Sequence, residues 1–382
     1  MKSEKIKLNA KKEEIEKIVY KTDASQIPGE LAGVIIPESI GEIETLVKQS
    51  QIDLVPRGAG TGLVGGSVPQ NSVVVDLSRL NKIIKIDKDK RVVHVEAGIV
   101  LDELQEVLRL YGLEFPINPS SHSVATIGGM IATNAVGSRA VKYGRTSDWV
   151  QSLEVIDGFG NLKKINKIDL MDVSGMEGIT GIIVRAVLKL TEIKKKTVDL
   201  VESSEINEVL EAVKKIKPDS EISMIELFDK KTSLFLGLPG KYHLIIEYES
   251  YKGHLQDKKY DDLMKTRNKA YPVLASIGYT IIEDPKILTA KIPEFILWLE
   301  EHGIPYFGHL GSGILHPCFM PSQKNLIEEM IKYVKKLHSQ ITGEHGIGLS
   351  KKEFIEEQDK KLINLLKKRY DPAEKFNRGK IL

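Results

Sequence analysis

Two short stretches near the end of the chain, GHLGSGILHP and TGEHGIG, hold three of its nine histidines. His309 and His316 are seven residues apart in the first, and Glu344 and His345 are adjacent in the second. Two imidazoles and a carboxylate make a sensible donor set for a divalent ion such as zinc, manganese or iron. On one unbroken strand the first two histidines would face opposite ways, and in a helix they would share a face. Gly311 and Gly313 argue against a helix. The expectation is a bent or bulged β segment in which glycines let both rings turn inward. The same spacing is also compatible with unrelated histidines. Cys318, the single cysteine, reads as a buried thiol rather than a fourth ligand.

The other chemically suggestive stretch is LVPRGAGTGLVGG, residues 54–66, with five glycines in thirteen positions. One sharp turn needs only one or two. A run of bare backbone suits a nest of amides for a pyrophosphate, with Arg57 either helping or orienting the loop. GTGLVG satisfies G-x-G-x-x-G, but the dinucleotide fingerprint must open a helix. Here Pro69 and a β-branched run, SVVVDL, follow instead. A Walker A loop would need Gly-Lys-Ser/Thr, which this loop lacks.

The elements that must position these groups begin with a helix over 4–19. The strand LAGVIIP, the helix SIGEIETLVKQS and the strand IDLVP then lead into the glycine loop. Ser39 and Glu42 have capping-box spacing. Short β-rich pieces (SVVVDL, KIIKID, RVVHVEAG), an amphipathic helix (LDELQEVLRLYG) and a long Gly/Ser/Thr/Asn-rich stretch come next. Beyond residue 192 the texture changes to long charged helices, including one over 253–276, against a few strands. That pattern predicts an α+β second domain.

The composition excludes several classes. With 55 basic and 53 acidic residues the net charge is +2, which argues against a nucleic-acid binder. One cysteine allows no intrachain disulfide and no all-cysteine zinc or iron–sulfur site. No apolar run is long enough to span a membrane, and the first residues lack a signal-peptide core. A cytoplasmic protein is expected, with peripheral membrane contact through a partner left open.

In this setting the chain resembles a known family. VPRGAGTGLVGG, NPSSHSVATIGGMIATNAVGSRAVKYGRTSDWV, GMEGITGIIVRAVLKL and FNRGKIL are similar, in family order, to the flavin-binding segments of vanillyl-alcohol-oxidase-type FAD enzymes. HLGSGILHP with GEHGIG resembles the branch of glycolate oxidase flavoprotein subunits, D-lactate dehydrogenases and D-2-hydroxyglutarate dehydrogenases. The likeness covers nearly the whole chain and is weakest over 192–260. It implies a two-lobed, PCMH-type α+β FAD domain over 1–191, an α+β cap over 192–340, and a segment 341–382 returning to the FAD domain. Non-covalent FAD is implied, since the first loop lacks the histidine that tethers flavin in some relatives.

The residues implied near FAD are Arg57, Gly58, Ala59, Gly60, Thr61, Gly62 and Ser67. From the second block they are Pro119, Ser123, Gly128, Gly129, Thr133, Ser138, Tyr143 and Gly144, and Glu177, Ile183 and Asn377 complete the set. By the same likeness His309, His316 and Glu344 hold metal, His345 accepts a proton, and Arg267 holds a substrate carboxylate. The implied activity is oxidation of a D-2-hydroxy acid, D-lactate or glycolate, to the 2-oxo acid. Electrons would leave to oxygen, quinone, cytochrome or a partner subunit. Oligomerisation is left open. Relatives commonly carry Asp and Asn where this chain has Ser312 and Ile314. That departure keeps a catalytically degenerate flavin subunit as an alternative, beside an ether-lipid-synthase-like enzyme.

Overall fold

The computed structural model describes residues 17–216 and 219–382. The helix expected over 4–19 lies outside the described residues up to residue 16. The described chain opens with β1 (Glu30–Ile35), the helix Ile40–Gln49, β2 (Leu54–Arg57) and β3 (Gln70–Asp76). These strands form a parallel sheet in the order β1-β3-β2. The helix packs through Ile43 and Val47, one turn apart on one face. Its cap is only half reciprocal. Ser39 Oγ accepts the Glu42 amide at 3.3 Å, while the Glu42 carboxylate accepts the Glu38 amide at 3.0 Å instead of that of Ser39. Residues 58–69 pass from β2 to β3 without a helix, so the glycine loop is not the crossover turn of a dinucleotide fold.

An antiparallel five-stranded sheet follows. It runs β4 (Ile83–Asp87), β5 (Val92–Glu96), β9 (Ile182–Lys189), β7 (Val150–Ile156) and β8 (Leu162–Asn166). The helix Leu101–Arg109 buries Leu101, Leu104 and Leu108 in the core that this sheet shares with the short helix Ile127–Ala132. The short strands β6 (Leu113–Glu114) and β10 (Thr191–Glu192) pair where the chain leaves for the cap.

The cap is a six-stranded antiparallel sheet. Its order is β11 (Thr197–Ser203), β13 (Tyr242–Tyr248), β12 (Ile222–Phe228), β15 (Tyr306–His309), β16 (Ile314–Phe319) and β14 (Ile281–Ile282). The helices Ile206–Ile216, Ile292–Glu301 and Lys324–Lys336 cover one face. On the other, Ala270 and Leu274 pack with Met224, Phe228 and Cys318. The single helix expected over 253–276 is two, Asp257–Asn268 and Ala270–Ser276. Pro272 explains the break: it has no amide to donate, and a new helix start puts it in a first turn, where none is needed. Among the described residues no helix is long and apolar enough to cross a membrane.

Every residue of β12 and β13 is buried, yet each strand carries a glutamate, Glu226 and Glu247. A buried carboxylate must find charge or donors. Glu247 finds them across the two halves of the molecule. Arg139 donates to it at 2.8 Å from Nε, and Ser223 and Tyr260 donate at 2.6 and 2.5 Å. Glu249 behaves similarly, accepting from the Tyr143 hydroxyl at 2.6 Å and pairing with Lys142 at 2.8 Å. At the far end of the chain Phe376 bridges to Leu54, whose amide donates to Lys375 O at 2.7 Å. Arg139→Ala would leave Glu247 buried without its counter-charge. It is expected to lower stability by about 3–5 kcal/mol in chemical denaturation, whereas Arg139→Met with Glu247→Leu should recover most of that loss.

Candidate active site

One cavity of about 490 Å³ is walled on one side by the glycine loop and the segment around Ile127–Ala132, and on the other by the cap and the TGEHGIG turn. The loop is fastened from behind. The Arg57 guanidinium donates to Thr22 O at 2.8 Å and Val19 O at 3.1 Å. Asp23 accepts the Ser67 amide and hydroxyl, each at 3.2 Å. Gly60 has φ +71°, and a Cβ there would fall 2.2 Å from the Arg57 guanidinium, so the loop can fold over Arg57 only without a side chain. The Thr126 hydroxyl accepts the Gly129 amide at 3.2 Å and shapes the neighbouring wall.

The opposite wall solves the face problem of the two histidines differently from a bulge. β15 and β16 form a regular hairpin closed by residues 310–313, with His309 opposite Ile314 and His316 opposite Phe307. Opposed residues share a face, and so do residues two apart on a strand. The reversal therefore puts both imidazoles on one side. Gly313 closes the turn at φ +77°, where a Cβ would meet Ile287 O at 2.6 Å.

His309, His316 and Glu344 each present a ligand atom within 4.8 Å of the others. His316 Nε2 lies 3.0 Å and His309 Nε2 3.6 Å from Glu344 Oε1. The remaining ring nitrogens face outer partners: His309 Nδ1 meets Glu226 Oε2 at 3.2 Å, and His316 Nδ1 meets Glu283 O at 3.3 Å. Outer partners of this kind aim the Nε2 atoms, as around bound metals. Burial opposes charge on His309, but the carboxylates of Glu226 and Glu344 outweigh it and raise its pKa to about 9. The cluster thus calls for positive charge, from a proton or a cation, and its donor types suit a divalent ion.

His345 stacks on His316 with ring centroids 5.4 Å apart. Burial, reinforced by His316, holds its pKa below the usual imidazole value against the pull of Asp284 and Glu344. The turn that carries Glu344 and His345 is built on Asp284. This buried carboxylate accepts the amides of Gly343, Glu344 and His345 at 2.9, 2.7 and 2.7 Å and the Thr342 hydroxyl at 2.8 Å. Lys351 donates to its other oxygen at 2.5 Å. Burial alone would raise the Asp284 pKa, but His345, Lys351 and these donors hold it at about 2.

Glu177 joins the two walls. Its Oε1 accepts the amides of Ile347 and Gly348 at 2.7 and 3.3 Å, and Oε2 is buried with no hydrogen-bond partner among the described residues. Burial pushes its pKa up to about 7. Gly346 passes so close, at φ +89°, that a Cβ would lie 2.5 Å from Oε1. Beside it, Lys380 donates to Gly66 O at 2.9 Å, and burial lowers its pKa to about 7. The loop side also fits a flavin dinucleotide. Its lining runs through Gly58–Gly62, and a Cβ at Gly62 would meet nothing nearer than Asp23 Oδ2 at 4.0 Å.

Of the residues singled out in the sequence, Gly58, Ala59, Gly60, Thr61, Gly62, Ser67, Pro119, Gly129, Thr133, Glu177, His309, His316, Glu344 and His345 line this cavity. Others stand behind it. Gly128 packs on Ala97, where a Cβ would come within 2.7 Å of the alanine methyl, and Ile183 sits in the five-stranded-sheet core. Asn377 donates to Gly66 O and Glu177 O at 3.2 and 2.6 Å. Tyr143 is committed to Glu249, Gly144 turns at φ +70°, Ser138 is buried and Ser123 is exposed. Arg267 is buried against Glu226, with Nη2 3.1 and 3.0 Å from its two oxygens, and does not line the cavity. Sequence reasoning missed Glu226, Asp284, Lys351 and Lys380. The available signals, for Glu226 and Asp284 alone, were one acid inside the apolar run ISMIELF and the Glu-Asp pair in IIEDPKIL.

Comparison with known proteins agrees with this geometry. Residues 31–166 match the FAD binding domain family, and residues 250–381 match the FAD linked oxidases, C-terminal domain. The chain is 29% identical to glycolate oxidase subunit GlcD of Bacillus subtilis (strain 168), over 96% of this chain and 92% of the relative. It is 28% identical to a D-lactate dehydrogenase of Archaeoglobus fulgidus, over 91% of each. An alkyldihydroxyacetonephosphate synthase structure superposes with a TM-score of 0.74 at 18% identity, covering 96% of this chain and 81% of that one. That last likeness is one of fold. The chain is an FAD-dependent oxidoreductase of the vanillyl-alcohol-oxidase type, with a PCMH-type flavin domain and an α+β cap.

Proposed function

We propose that the protein oxidises a small D-2-hydroxy acid, D-lactate or glycolate, to the 2-oxo acid. The observation that carries this reading is the opening of His309, His316, Glu344 and His345 onto the same cavity as the glycine loop. The names of the full-length relatives, a glycolate oxidase subunit and a D-lactate dehydrogenase, point the same way.

In this reading His309, His316 and Glu344 hold a divalent ion, which supplies a Lewis acid for the substrate's oxygens. Flavin, held by the glycine loop, would supply the two-electron acceptor. His345, kept neutral by burial, takes the hydroxyl proton on Nε2. Asp284, 3.5 Å from His345 Nδ1, faces the positive charge that this proton creates. Arg267 acts through Glu226, which aims His309. The ether-lipid alternative would need cations for a phosphate, and no Lys or Arg lines the cavity among the described residues.

The purified protein should be yellow, and D-lactate or glycolate should bleach its flavin band anaerobically. A band unmoved by a panel of 2-hydroxy acids, with flavin and metal both loaded, would sink the reading. Metal analysis should return one divalent ion per chain, and Glu344→Ala should lose it while the colour stays. His345→Ala should retain colour and slow reduction by roughly 10²–10⁴-fold, the usual worth of a general base. Full-rate reduction by that variant would remove its assigned role.

A further inference from the structure

We infer that the substrate carries one carboxylate and an apolar tail, because the cap wall beside the histidines is aromatic and aliphatic and, among the described residues, offers no Lys or Arg. This inference rests on the hydroxy-acid reading above and narrows it.

Apart from the histidines and Glu344, the cap contributes Tyr271, Ile282 and Phe307 to the cavity. Ile282 and Phe307 are buried, and the Phe307 ring lies 5.0 Å from that of His316, so the apolar wall adjoins the reacting groups. Two of the cations behind the walls are already paired with acids. Arg267 is paired with Glu226, and Lys351 donates to Asp284 at 2.5 Å and lies 2.8 Å from Glu283. The acids that do line the cavity, Glu177 and Glu344, offer a second carboxylate no counter-charge.

A single carboxylate next to the 2-hydroxyl can face the donor cluster of His309, His316 and Glu344, where a divalent ion would sit. A second carboxylate, at the end of a chain, would instead be desolvated against Ile282 and Phe307 with nothing to pair with, a costly placement. A methyl group at the same position would be removed from water at a gain.

The test is anaerobic flavin reduction of the FAD- and metal-loaded protein by D-lactate, D-2-hydroxybutyrate, D-2-hydroxyvalerate and D-2-hydroxyglutarate. The last two have equal chain length and differ only in a terminal methyl against a carboxylate. The second-order rate constant is expected to rise roughly fourfold per methylene from lactate to hydroxyvalerate. Hydroxyglutarate should fall roughly a hundredfold below hydroxyvalerate. Ile282→Lys, which places a cation on the wall, should narrow that gap by raising the hydroxyglutarate rate. Hydroxyglutarate equal to or faster than hydroxyvalerate, or hydroxyvalerate slower than lactate, would overturn the inference and leave the hydroxy-acid reading standing. No reduction by any of the four would overturn both.

Discussion

The arrangement of the site depends on one buried carboxylate. Asp284 gathers three consecutive backbone amides, a hydroxyl and a lysine ammonium, and these contacts set the path of the turn bearing Glu344 and His345. A carboxylate so surrounded can stay ionised where burial would otherwise neutralise it. The turn needs no regular secondary structure because this anion replaces the ladder that would otherwise hold it. Two adjacent side chains of opposite chemical role can then enter the same cavity, a placement that neither helix nor strand provides.

The same device recurs at larger scale. Glu226 and Glu247 sit in strands that are otherwise filled for packing, and each collects a guanidinium from a distant element. Glu226 ties the cap helix Asp257–Asn268 to His309, and Glu247 ties the cap sheet to the flavin half through Arg139. Buried ion pairs contribute little net stability compared with apolar replacements, but breaking one is expensive. Here they fix where two apolar cores meet. Apolar contact alone would leave that relation loose, and the cavity between the halves needs both walls in register.

Much of this was legible in the chain because its chemistry is local. The glycine run, the paired histidines and the Glu-His dipeptide are short stretches whose residue types restrict what they can do. The alternation of strand, helix and strand before the loop, and the strand after it, followed from β-branched runs and a proline. What the sequence withheld depends on distance. Arg267 is 41 positions from Glu226, and Arg139 is 108 from Glu247, so no spacing rule could match them. Arg267 read as a hand for the substrate because its partner was out of view. A bent or bulged segment was expected for the two histidines, and the bend is a full hairpin, which seven residues with two internal glycines also fit. Only the pairing of His316 with Phe307 distinguishes them. The helix break before Pro272 was visible in principle, since a proline inside a helical pattern marks an end or a restart.

Glu177 carries a consequence for assembly of the working protein. Its backbone carbonyl is held by Asn377, beside the glycine loop, and its carboxylate is held by the two amides that follow the Glu-His turn. In the proposed reading, a guest that shifts this residue from the loop side would be felt at the histidine–glutamate cluster, and the reverse. Thermodynamic reciprocity requires the two effects to be equal in free energy. Flavin on the loop side and an ion at the cluster would then share one coupling constant, whichever guest arrived first.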